Sequence, residues 1–103
     1  MSEPIVFKRE MGITHREFLY TLQRAVEGRT YTIEDGGGSQ VGHVQIDDGE
    51  HSIVIHLPAQ RVRRIATIKL PITDVEYHFN GHTQADAERI MHRFEIYYRR
   101  GGG

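Results

Sequence analysis

Residues 43–56 read HVQIDDGEHSIVIH, two runs of alternating apolar and polar side chains joined by an acidic turn that contains glycine. Alternation with a period of two marks a strand that buries one face, and Asp-Gly between two such runs is a strong hairpin signal. The stretch therefore predicts two antiparallel strands turning at Asp48-Gly49, with Asp47 opposite Glu50 and Val44 opposite Ile53. A register set in this way also decides which side chains share a face. Val44, Ile53 and Ile55 fall on the covered face, and Val41, His43, Gln45, Ser52, Val54 and His56 fall on the other.

The period of two continues on both sides of this hairpin. Strands are expected near Thr30–Glu34, Gln40–Asp47, Glu50–Leu57, Val62–Leu70 and Thr73–Phe79, linked by residues 35–39, Asp48-Gly49, Pro58-Ala59 and Pro71-Ile72. Links this short favour an antiparallel meander. Upstream, Thr14 with Glu17 three residues on is a capping-box signature, and Ile13 can staple to Phe18. Phe18, Leu19, Leu22, Ala25 and Val26 then follow helical spacing until Gly28. Downstream, Thr83 opens a second helix that places Ala87, Ile90, Met91, Phe94 and Tyr97 or Tyr98 on one face, read as core rather than as an aromatic ligand cage.

The order helix, strands, helix predicts one α+β domain over residues 1–103. Its expected form is a two-layer sandwich, an antiparallel meander of five strands with the N-terminal and C-terminal helices packed on one face. Residues 1–12 are expected to be an extension or an edge strand around Ile5–Phe7, and residues 101–103 a flexible tail. The second face of the sheet is left open, and function is sought there.

Bulk composition narrows the classes. A chain of 103 residues, 38% hydrophobic and 26% charged, can bury one modest core. The absence of cysteine excludes disulfides, thiolate metal sites and cysteine nucleophiles. No apolar run approaches the ~20 residues of a membrane helix, and MSEPIVFKRE lacks a signal-peptide pattern. A cytoplasmic location with no membrane partner is expected. The net charge is −1 with neutral histidines, so attraction to polyanions is not built into the whole molecule.

On the open face, His43 and His56 fall as diagonal neighbours, Arg61 beside His56, and Arg63 beside Val54 with Ile65 further along. His43, His56, Arg61, Arg63, Val54 and Ile65 are thus the predicted anion- or partner-binding surface. Asp47, Glu50, Asp74 and Glu76 gather at the other end, so the face complements itself under a two-fold axis and a homodimer is expected. A protein or other anionic partner is the alternative occupant.

Two imidazoles invite a metal, but a third ligand is needed. His78 is placed two strands beyond His56, about 10 Å away at ordinary strand spacing, and Arg61 would repel a cation. No metal or cofactor is expected, and His43 with His56 is the alternative metal pair. No nucleophile motif such as G-x-S-x-G occurs, so the reading is non-enzymatic, with a small histidine-based enzyme as the alternative. The run Arg61-Val62-Arg63-Arg64 suits phosphate and makes a nucleic-acid-binding module a second alternative. With 11 Arg, 2 Lys and no net positive charge, the run is read instead as a general use of arginine, and nucleic acid is not expected. Gly36-Gly37-Gly38-Ser39 lacks the lysine and following helix of a phosphate loop and is read as a hairpin loop.

Overall fold

The structure is a computed structural model that describes residues 3–101. The elements in chain order are β1 (Ile5–Met11), α1 (His15–Ala25), β2 (Tyr31–Glu34), β3 (Gly42–Asp48), β4 (His51–Leu57), β5 (Arg61–Ile65), β6 (Ile68–Asn80) and α2 (Gln84–Gly101). Both helices start as their caps dictate. The Thr14 hydroxyl accepts from the Glu17 amide at 3.1 Å while the Glu17 carboxylate accepts from the Thr14 amide at 2.9 Å, a complete capping box. The Thr83 hydroxyl accepts from the Asp86 amide at 3.1 Å. α2 extends through Gly101, which the expected tail at 101–103 included, and residues 102–103 lie outside the described ones.

The fold is α+β, an antiparallel sheet with two helices, in the strand order β1-β6-β4-β3-β2. Phe18, Leu22 and Ala25 of α1 and Val26 at its C-cap, with Ala87, Met91 and Phe94 of α2, share one core with Val44, Ile46, Ile53, Ile55, Leu57, Val75, Tyr77 and Phe79 of the sheet. The alternation in the sequence is the cause: these strand residues stand two apart and point the same way. β1 forms the expected edge strand, and it is longer than Ile5–Phe7 because its pairing with β6 runs from Ile5 opposite Phe79 to Met11 opposite Thr73.

The hairpin between β3 and β4 turns at Gly49-Glu50, one residue later than the sequence suggests. Asp48 is drawn into the strand because its carboxylate accepts from Arg29 at 3.0 Å and meets His82 Nε2 at 2.8 Å. Gly49 then supplies the left-handed conformation of the turn, φ 68°. The register moves by two, so that Val44 faces Ile55 and Ile46 faces Ile53. An even shift leaves every side chain on its expected face.

The meander breaks at β5. Pro58-Ala59 is not a hairpin turn, and Pro71-Ile72 lies inside β6, a continuous strand of 13 residues. β4 pairs with β6 directly, and β5 pairs only with the first residues of β6, from Ile65 opposite Ile68 to Arg61 opposite Ile72. Residues 61–72 therefore form a two-stranded arm that extends the sheet along its strand direction. Thirteen strand residues span about 43 Å, which accounts for a molecule 47 Å long and only 25 by 24 Å across. The arm's turn is Ala66-Thr67, where Ala66 takes φ 55°. Among the described residues no helix is long and apolar enough to cross a membrane.

Candidate functional site: the open face and its arm

The face away from the helices can be read as rows across the paired strands. One row runs Lys8, Glu76, His56, His43, Glu34, and the next runs Val6, His78, Val54, Gln45, Thr32. Row neighbours sit opposite each other on adjacent strands, the closest side-chain pairing a sheet allows. His43 and His56 are therefore directly opposed rather than diagonal, with ring centroids 5.1 Å apart and edge to face. Val54 lies beside them on the same face.

The expected distance to His78 is overturned. Because β5 does not stand between β4 and β6, His78 is diagonal to His56 and their rings are 4.7 Å apart. Three imidazoles thus form a contiguous strip, and His78 Nε2 meets Glu76 at 3.2 Å. Burial lowers the His56 pKa, the neighbouring His78 and His43 lower it further, and Glu76 opposes them. Among the described residues no group of three or more His, Cys, Asp or Glu side chains is placed to hold a metal ion. A groove of about 500 Å³ lies elsewhere, between the end of β1 and α2, and no histidine lines it.

Arg61, Arg63 and Ile65 stand on the same side of the sheet as the histidines, but out on the arm. Arg61 does not adjoin His56. Its guanidinium donates to Asp74 at 2.7 and 2.9 Å and to Glu10 at 2.8 Å, and Arg63 donates to the other Glu10 oxygen at 2.5 Å. The reason is the strand order, which puts Asp74 of β6 and Glu10 of β1 beside the root of the arm. These hydrogen bonds lower the Asp74 pKa and raise that of Arg61. The group expected from sequence therefore separates into a histidine strip on the body and a clasp of two arginines and two carboxylates at the arm's base.

Residues 61–70 are exposed without interruption. By alternation the open-face side of the arm carries Arg61, Arg63, Ile65, Ile68 and Leu70, and the opposite side carries Val62, Arg64, Lys69 and Pro71. Of the seven large hydrophobic residues exposed among the described residues, Val62, Ile65, Ile68 and Leu70 are on this arm. Arg64 and Lys69 face each other across its two strands, and neither has a carboxylate partner among the described residues.

The arm's root is fastened to the body through Gln60. Its side-chain oxygen accepts from the His15 amide at 2.7 Å, and its own amide donates to Gly38 O at 2.8 Å. His15 is buried with Nε2 2.6 Å from Pro58 O. A carbonyl only accepts, so Nε2 carries the hydrogen, and Nδ1 is buried without a partner among the described residues. Sequence reasoning missed Glu10, Gln60, Ile68, Leu70 and the unpaired Arg64–Lys69 couple. The uninterrupted run from Arg61 to Leu70, with no clear covered face, was the available signal for the last three. No family model, curated protein or solved structure matches the chain.

Proposed function

We propose that this chain is a non-enzymatic interaction domain that captures an anionic partner through the arm and the adjoining open face. The observation that carries the reading is the arm itself: ten exposed residues in succession, four of them large and apolar. An isolated two-stranded hairpin is marginal in water, and an uncovered apolar surface of this kind marks an interaction site. The sign of the partner follows from charge. Arg61, Arg63, Arg64 and Lys69 stand against only Glu10 and Asp74, which leaves two cations in excess.

The test is an NMR titration with poly-L-glutamate. Shifts concentrated at residues 61–70 and removed by the double substitution Arg64→Glu, Lys69→Glu support the reading. Shifts absent from the arm sink it.

Self-association is a second reading, favoured by the charge distribution along the long axis. Exposed Asp47 and Glu50 lie at the end of β6 marked by the Ser52–Asn80 pair, and the basic arm lies at the other end. Two copies related by a two-fold axis would set unlike ends together. Sedimentation that gives a monomer at micromolar concentration, unchanged by Arg63→Glu, removes it.

A further inference from the structure

We propose that the outer edge of β5, residues 61–65, is a strand-addition site for an extended peptide segment that alternates acidic and apolar residues. This rests on the arm being the partner-binding element and names how it binds.

The turn fixes the hydrogen-bond pattern of the arm. With two residues, Ala66-Thr67, between the strands, Ile65 and Ile68 form a hydrogen-bonded pair. Alternation then makes Arg63–Leu70 and Arg61–Ile72 hydrogen-bonded pairs, and Val62–Pro71 and Arg64–Lys69 non-bonded ones. Proline at 71 agrees, because only a non-bonded position tolerates a residue without an N–H. The backbone groups of non-bonded positions point away from the partner strand. The arm consequently has two free edges of different character. On the β6 side, Pro71 presents no donor, which blunts the edge against pairing. On the β5 side, Val62 and Arg64 each direct an N–H and a C=O outward, with no proline among residues 61–65. The β6 edge offers one outward N–H, at Lys69, and the β5 edge offers two.

The side chains select what can pair there. A second copy of β5 added antiparallel about its centre would set Arg63 on Arg63, and like charges directly opposite are destabilising. The same rule applies within the arm, where Arg64 and Lys69 oppose each other unneutralised on the helix side. An incoming strand whose carboxylates fall on that side relieves the repulsion. Its alternate residues fall on the open-face side, beside Ile65 and beside Arg61 and Arg63, whose guanidiniums are already paired with Glu10 and Asp74, with Ile68 and Leu70 on the next strand. Acidic residues on one side and apolar residues on the other are the pattern of an alternating strand.

The test uses the full chain and four probes: a blocked eight-residue peptide alternating glutamate and valine, the same peptide N-methylated at alternate positions, poly-L-glutamate, and a DNA oligonucleotide. For the first peptide the expected result is at least tenfold slower hydrogen exchange at the Val62 and Arg64 amides, and at least tenfold weaker binding by the N-methylated form. Val62→Pro removes one outward N–H without touching a bonded position of the arm. It is expected to weaken the peptide by a similar factor with the remaining arm resonances in place. Equal binding of both peptides would overturn strand addition while leaving anion capture intact. Silence of the arm toward both peptides and poly-L-glutamate would overturn both proposals. Tighter binding of the oligonucleotide at the same amides would overturn this one in favour of nucleic acid.

Discussion

One strand, β6, runs through two environments. Its residues 73–79 are paired with β1, residues 76–79 with β4 as well, and Val75, Tyr77 and Phe79 are buried to 2% exposure or less. Its residues 68–72 are paired on one side only, and Ile68 and Leu70 remain 57% and 41% exposed. Both halves are rich in apolar residues, so residue type does not distinguish them. What distinguishes them is cover: α1 and α2 lie over the body half, whereas the arm has its clasp of Arg61, Arg63, Glu10 and Asp74 at the root and open solvent beyond. Burial belongs to the surroundings of a strand, and the uncovered half is the one free to meet a partner.

The largest expected effect breaks the body. Ile53 on β4 is fully buried against the shared core. Ile53→Ala leaves a cavity where the surrounding side chains collapse only in part, and the expected loss is about 2–5 kcal/mol, read from the urea midpoint. A loss under about 0.5 kcal/mol, the range of ordinary surface substitutions, would mean that the core is not packed as described.

A smaller effect comes from the histidine strip, where body and open face meet. The His56 pKa is lowered, first by burial and then by His78 and His43, with Glu76 opposing. Above the unfolded value of about 6.5 neither state holds the proton, so this group contributes no pH dependence. As pH falls through that value the unfolded chain takes up the proton first, and stability falls until pH is below the folded value. The expected outcome is lower stability at pH 5 than at pH 8, with a smaller difference in His56→Gln. Other groups titrate in the same window, so the comparison between the two proteins isolates this one. Equal slopes would remove His56 from the account.

The same division explains what could be read from sequence. Both helices were legible because their signals are local: Thr14 with Glu17, Thr83, and the spacing of Phe18, Leu22, Phe94 and Tyr98. The faces of β3 and β4 were legible because a register error of two preserves them, and Val44, Ile53 and Ile55 are buried as expected. The strand order was not legible. Pairing β6 with β1 joins residues more than sixty positions apart, and nothing near Asp74 announces Glu10. Pro71 looked like a turn because proline usually ends a strand, yet here it occupies a free edge where no N–H is needed. Ala66-Thr67 carries none of the residues that mark turns, so the true reversal was silent. The candidate site inherited these errors. His43, His56 and Val54 share the open face as their alternation predicts, whereas Arg61 meets Asp74 and not His56 because β5 pairs with the far end of β6.

The smallest expected effect sharpens the contrast by making the same change on the arm. Ile68→Ala removes the same atoms as Ile53→Ala, but from a side chain already 57% exposed on a ribbon with no helix over it. Little apolar area leaves water on folding at this position, so the midpoint should move by no more than about 0.5 kcal/mol. Local order should respond more than global stability. Hydrogen exchange at the amides of the arm's bonded pairs should quicken, because such regions open below the global free energy, while the amides of Tyr77 and Phe79 stay unchanged. If Ile68→Ala instead costs as much as Ile53→Ala, the arm is covered in solution. Repeating the measurement at tenfold dilution then identifies the cover: a cost that falls with concentration assigns it to a second copy, because only an intermolecular contact is subject to mass action.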